Sequence, residues 1–313
     1  MCDMQENLNC SDSEIKSMKK SVCSVIYFSG TGGTTRVAKV IESSLLNRNY
    51  QVNLIPIDQS ASAVHSTNEL EILKTCSTAI LVFAVHAFDA PEPVYQWISQ
   101  IMCNNLSTAV ISVSGGGEVW PNIGCREDVI KLLESRGFNV TYEKMIVMPC
   151  NWVFKTDDNL SMHLINEMPN KVEKILDKIL DKTIRRTNHH KGWFARKITL
   201  VEKKKALRFA QGFKISERCN SCQWCVKHCP VNNIQLVNNR PVFLNKCVMC
   251  FRCVYGCKMG AIKTKDFQVL KEGFDLNAIE TRMKNKALKP IDKCCKGIIW
   301  SGVRKYLNDE DGY

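Results

Sequence analysis

A chain of 313 residues with 45% hydrophobic and 24% charged content is long enough for two domains and has the make-up of a globular protein. Its net charge of +12 is divided unevenly: residues 1–180 carry 15 Lys and Arg against 20 Asp and Glu, and residues 181–313 carry 28 against 11. No charge-free apolar run reaches the length of a membrane-spanning helix, about 18 residues, and charge alone does not separate nucleic acid, anionic lipid and an acidic protein as partners of the basic half.

Residues 1–20 are acidic and polar and lack the apolar centre of a secretory signal. They are expected to be a frayed leader. From Ser21 the segment SVCSVIYF reads as a strand, followed by a Gly/Ser/Thr loop and a helix over TTRVAKVIESSLLNRN. The pattern continues with YQVNLIPI as strand, NELEILKT as short helix, STAILVFAV as a strand buried on both faces, PVYQWISQIM as helix, STAVISVS as strand, REDVIKLLESRG as helix and FNVTYEKMIVM as the fifth strand. A long helical pattern, LINEMPNKVEKILDKILDKT, completes the layer. Strands alternating with helices predict an α/β, doubly wound parallel sheet over residues 21–185. The basic stretch 186–209 has no clear period and reads as a linker, with His189 and His190 as solvated residues.

The loop after the first strand, Ser29-Gly30-Thr31-Gly32-Gly33-Thr34-Thr35, opens directly onto a helix. Backbone N–H groups and the helix dipole make such a position an anion site, and glycine lets phosphate oxygens come close. The Gly-Lys-Ser/Thr ending of a nucleotide triphosphatase is absent, and the loop is not G-x-G-x-x-G. The stretch Val25–Ile41, VIYFSGTGGTTRVAKVI, resembles the flavodoxin signature. The resemblance implies a sheet of order 2-1-3-4-5, FMN as cofactor, and phosphate contacts from Ser29, Gly30, Thr31, Gly32, Gly33 and Thr34. It also implies that two later loops flank the flavin ring, Val85 to Pro91 and Ser114 to Trp120, with Phe88 and Trp120 as stacking aromatics and Gly115 and Gly116 as backbone contacts.

Eight of the 17 cysteines fall in two like runs, Cys219-x-x-Cys222-x-x-Cys225-x-x-x-Cys229 and Cys247-x-x-Cys250-x-x-Cys253-x-x-x-Cys257. Three thiolates at three-residue steps hold three corners of a cubane, and the fourth cysteine of each run serves the other cluster. One [4Fe-4S] cluster therefore takes Cys219, Cys222, Cys225 and Cys257, and the second takes Cys229, Cys247, Cys250 and Cys253. Zinc, which prefers separated cysteine pairs, is the competing metal. The runs resemble the bacterial two-cluster ferredoxins, with Lys258 where proline often follows the last cysteine, and predict a small α+β ferredoxin-like domain over residues 210–265, with Ile234, Val242 and Ile262 packed around the clusters. Residues 266–313 read as a basic helical extension that packs on this module or docks a partner. Cys23, Cys76, Cys103, Cys125 and Cys150 read as small buried hydrophobes, and Cys294 and Cys295 as unligated.

Together these features resemble the flavodoxin-ferredoxin fusion proteins of anaerobic microbes. The resemblance implies cytoplasmic electron transfer between two [4Fe-4S] clusters, FMN and an external redox partner, acidic if it docks on the basic half. Nucleic acid and a membrane span are not expected. The other class is a flavin-dependent reductase of a small substrate, with His86 or Glu118 as proton donor.

Overall fold

The computed structural model describes residues 21–57, 64–152, 156–187, 191–264 and 273–309. The expected leader, 1–20, and His189 and His190 lie outside the described residues. Val22–Phe28 (β1), Gln51–Pro56 (β2), Thr78–Ala84 (β3), Leu106–Ser114 (β4) and Phe138–Val147 (β5) form one sheet of order β2-β1-β3-β4-β5. Every neighbouring pair is parallel. This is the doubly wound, flavodoxin-like order that the motif implied. Central strand β3 is buried along Ala79–Phe83, which explains why its sequence runs apolar instead of alternating.

The connecting helices cover both faces. Gly33–Asn47 (α1) and Asp158–Leu180 (α5) close one face over Val25, Val82 and Ile111. Val64–Thr75 (α2), Glu92–Ser99 (α3) and Glu127–Ser135 (α4) lie on the other side, where Val94, Ile98, Val129 and Leu133 pack on Ile26, Leu81 and Val110. Helix α5 starts on Asp157, whose carboxylate accepts from the N–H groups of Asn159 and Leu160. The free edge of β5 is covered by Arg185: its N–H bonds Thr141 O at 2.9 Å and its carbonyl accepts from Glu143 N at 3.0 Å.

The stretch read as an aperiodic linker contains a 17-residue helix, Trp193–Phe209 (α6). Its signal was masked because Trp193, Phe194, Leu200, Val201 and Leu207 are exposed, so apolar residues do not mark the buried face. That face is instead Ala195, Thr199 and Ala206, and Ala206 joins the core of the cysteine-rich module with Met249, Phe251, Val254 and Ile262.

The module is an internal repeat offset by 28 residues. Lys214–Ile215 (β6), Trp224–Lys227 (α7) and Ile234–Val237 (β7) recur as Arg240–Phe243 (β8), Arg252–Tyr255 (α8) and Ile262–Lys263 (β9). Strands β6 and β9, and β7 and β8, pair antiparallel. Ile234 and Ile262 are buried as expected, but Val242 is 42% exposed. It alternates with Pro241 and Phe243 on β8 and therefore points outward.

The C-terminal segment is helical, at Leu276–Met283 (α9), Ile291–Cys294 (α10) and Ser301–Asn308 (α11). It packs on the sheet domain. Leu276, Ile279 and Met283 enter the core under α1 and α5, Val303 and Tyr306 pack on Leu160 and Leu164, and Arg36 pairs with Glu280 at 2.7 Å and Arg282 with Asp158 at 3.0 Å.

Candidate functional site

Because all five strands run parallel, their carboxyl ends open on one side, and the reversal of order between β1 and β3 leaves a crevice there. A cleft of about 550 Å³ occupies it. Ser29, Gly30, Thr31, Gly33, Thr34, Phe88, Gly115, Gly116 and Trp120 all line this one cleft. Gly32 caps α1 in the left-handed region at φ 96°, and a Cβ there would meet nothing within 4 Å. Glycine is thus required by conformation, not by crowding. The Ser29 hydroxyl accepts from Gly32 N–H at 3.2 Å, and the Thr31 hydroxyl from the Asn151 amide at 2.5 Å. No side chain caps α1, and neither Lys nor Arg is among the lining residues. A phosphate here would rest on backbone N–H groups, hydroxyls and the helix dipole. These features fit FMN.

At the other end of the cleft, Trp120 is 62% exposed, and Phe88 is held at φ 61°. Both present aromatic surface beside the glycine loop. The two candidate proton donors separate. His86 lines the cleft; its ring bonds the backbone of Val248, its Nδ1 is buried with no hydrogen-bond partner, and burial lowers its pKa to about 4. Glu118 is buried away from the cleft and paired with Arg126, which also bonds Glu143 Oε2 at 2.7 Å and Ser112 Oγ at 2.8 Å. It holds the loop instead of facing a ligand.

Several lining residues escaped the sequence. Pro149, Cys150, Asn151 and Trp152 follow β5 and complete the rim. The rule that ligands sit at the carboxyl ends of strands would have found them. Phe274, Leu276, Ile299 and Trp300 come from the C-terminal extension, and no motif marks them. The extension is docked tightly, since a Cβ on Gly302 would lie 2.5 Å from Gly116 O.

The cysteines gather into two cavities. Cys219, Cys222, Cys225 and Cys257 line one, and Cys229, Cys247, Cys250 and Cys253 line the other, the division that the spacing rule implied. Among the described residues no three His, Cys, Asp or Glu side chains converge closely enough to hold a single metal ion. Each set surrounds a volume, as one thiolate per corner of a cubane requires. Ser221 and Gln223 in the first run, and Met249 and Phe251 in the second, all have φ between 54° and 61°. Such left-handed steps turn successive N–H groups inward as an anion nest. Asn233, Met249 and Ala261 N–H groups bond the sulfurs of Cys229, Cys247 and Cys257, each at 3.3 Å. Burial pushes the Cys247 thiol up to about 11 and the Cys250 thiol up to about 12, with Cys229 close to both. Crowded thiols of this kind ionise when a metal centre is among them. The donor set fits iron-sulfur ligation.

The cleft and the second cavity share a wall. Met249 and Phe251 line both. Gly30 touches the second cysteine run so closely that a Cβ on it would lie 2.5 Å from Cys250 O, and the Arg252 guanidinium donates to Ser29 O at 2.7 Å. Tyr255 OH donates to Asn151 O at 2.7 Å on the opposite rim.

The model of the 4Fe-4S binding domain family matches residues 213–235, which span the first cysteine run. No curated protein matches the chain. Among solved structures the chain is similar to an archaeal flavodoxin (14% identity, covering 51% of this chain and 99% of that one, TM-score 0.34). It is also similar to the flavodoxin of Streptococcus pneumoniae TIGR4 (15%, 50% and 99%, TM-score 0.35) and to general stress protein 14 of Treponema denticola, solved in complex with FMN (9%, 51% and 99%, TM-score 0.40). The chain joins a parallel sheet of flavodoxin-like strand order to a segment that matches the 4Fe-4S binding domain family.

Proposed function

We propose that the chain transfers electrons between two [4Fe-4S] clusters and a bound FMN, and between these and an external redox protein. The observation that carries this reading is the wall of Met249, Cys250 and Phe251 between the flavin cleft and the second cysteine cavity. In it the phosphate loop and a cluster-ligand backbone are in van der Waals contact. FMN supplies a carrier of one or two electrons and each cluster a carrier of one, so the pair interconverts single electrons and electron pairs. The residues' own work is to hold and insulate. Ser29 to Thr34 fix the phosphate, Phe88 and Trp120 flank the ring, and the four cysteines of each cavity hold one cluster. The N–H groups on sulfur and the apolar shell of Val254, Ile262 and Phe251 set the potential.

Anaerobic purification with iron, acid-labile sulfide and flavin assayed per chain tests the loading, with eight iron and one FMN expected. Photoreduction followed at visible wavelengths tests the transfer: electrons placed on the clusters should appear on the flavin. Full loading with no such passage would sink the proposal. A reductase of a small substrate is the second reading, favoured by the aromatic and aliphatic wall that Phe274, Ile299 and Trp300 add beside the glycine loop.

A further inference from the structure

Several arginines outside the cysteine-rich module hold carboxylates: Arg36 with Glu280, Arg48 with Glu173, Arg126 with Glu118 and Glu143, Arg186 with Glu134, Arg196 with Asp128. The cysteine-rich module differs in its balance of charge. Residues 213–264 hold eight Lys and Arg and a single acid, Glu217. Lys214, Arg218, Lys227, Lys258 and Lys263 are exposed, and none of them has an acidic partner among the described residues. Lys214 and Lys263 even stand directly opposite each other across β6 and β9, a like-charge pairing that costs stability.

These cations surround one end of the module. Arg218 and Lys258 adjoin Cys219 and Cys257 in the chain, and Lys227 follows Cys225 by two residues. The Arg218 guanidinium comes within 3.9 Å of where a Gly260 Cβ would lie, in the turn after Cys257. β9 carries Ile262 into the lining of the first cavity. That cavity's cysteines are also the more exposed set: Cys222 is exposed and the other three are half-buried, whereas Cys229 and Cys250 of the second cavity are buried. The flavin cleft, at the far side of the second cavity, is walled by the chain's own C-terminal extension.

The geometry points to the face around Cys222, ringed by Lys214, Arg218, Lys258 and Lys263, as the docking surface for an acidic redox protein, which exchanges electrons there with the first cluster. This rests on the two-cluster reading above. In the forward direction one electron leaves the reduced centre of the partner and reduces the first cluster, with no bond made or broken and no proton moved. Unpaired surface cations raise encounter rates and select negatively charged partners. A redox centre at the middle of the patch favours a carrier protein over nucleic acid, which has no use for one.

The test uses the full-length holoprotein, its iron, sulfide and flavin verified first, so that failure of loading is read separately from failure of docking. The probe is an acidic two-cluster bacterial ferredoxin, titrated in its oxidised form by calorimetry and, after reduction, mixed with the holoprotein in stopped flow. The variant Arg218→Glu/Lys258→Glu/Lys263→Glu is expected to weaken the dissociation constant and slow the second-order rate about tenfold or more at low salt. Wild type should lose a comparable factor as salt rises from about 50 to about 300 mM, while the variant barely changes. Midpoint potentials of the two proteins should agree closely enough that driving force does not account for the slower rate. Lys197→Glu/Lys204→Glu/Lys205→Glu on α6 should leave binding intact. The inference is overturned if the ring variant binds as wild type does, if the α6 variant is the one that loses binding, or if a DNA duplex binds the ring more tightly than the ferredoxin at the same salt.

Discussion

Substituting Gly30 by alanine probes the contact on which the proposed electron path depends. The new Cβ would sit 2.5 Å from Cys250 O, against an ordinary contact of 3.4 Å or more, and the obstructing atom is backbone. The phosphate loop and the second cysteine run must therefore part by nearly 1 Å. Overpacking of this kind costs about 1–3 kcal/mol. The 2.7 Å bond from Arg252 to Ser29 O spans the same seam and would stretch beyond hydrogen-bonding range, adding about 1 kcal/mol. The expected loss is about 2–4 kcal/mol, a fall of roughly 3–6 °C in Tm for a chain of this size. A double-mutant cycle separates the seam from a generic effect. Once Gly30→Ala has opened it, Arg252→Ala should cost about 1 kcal/mol less than in wild type. Gly32→Ala is the control: it is strained at φ 96° with nothing within 4 Å, so it should cost about 1 kcal/mol and add independently to Arg252→Ala. A neutral Gly30→Ala, or strict additivity with Arg252→Ala, would refute the contact.

Three other perturbations have defined outcomes. Arg126→Met leaves Glu118 and Glu143 buried without their shared cation and should destabilise by about 3–5 kcal/mol in denaturant unfolding, and FMN retention should fall with it as the loop that Glu118 anchors loosens. Lys144 is 2% exposed, and burial, with Arg185 nearby, lowers its pKa to about 7. Below pH 7 the folded state bears the full penalty of charging it, and between about 7 and 10.5 the unfolded chain binds the extra proton, so stability from this group rises with pH. Lys144→Met should therefore stabilise most below pH 7, by up to about 5 kcal/mol, with the gain shrinking toward pH 10 in melts across that range. Gly302→Val drives a side chain into Gly116 O and Val119; limited proteolysis should then cleave the C-terminal extension selectively, and the FMN dissociation constant should rise about tenfold or more if the extension closes the cleft.

The elements that were legible in the sequence are those whose signal is local. Strand β3 announces itself by an apolar run because it is buried on both faces, and the loop Ser29–Thr34 by its place between strand and helix. The two cysteine runs fix their own partition by spacing. What stayed hidden depends on packing between distant segments. Helix α6 buries small residues and exposes Trp193 and Phe194, so periodicity reads it backwards. The side on which the extension docks is decided by Gly302 meeting Gly116 and by Arg36 meeting Glu280, pairs more than a hundred residues apart. Glu118 looked like a loop carboxylate facing a ligand because its partner, Arg126, gives no sign in the sequence that it turns inward.

The cleft draws its walls from four stretches of chain: the strand ends of the flavodoxin-like domain, α6 through Glu202, the second cysteine run through Met249 and Phe251, and the extension through Phe274 and Trp300. None of these alone encloses it. A flavin bound there would stabilise the assembled arrangement over any in which the module or the extension has come away, by mass action. The same linkage runs in reverse, so a cluster lost from the second cavity should loosen Met249 to Phe251 and with them the flavin. On the proposed two-cluster loading, removing iron by chelation should therefore weaken FMN binding, and loss of a cluster from the first cavity through Cys222→Ser should not, because no residue lining that cavity also lines the cleft. Equal loss of FMN in the two cases would show that the shared wall does not couple the cofactors.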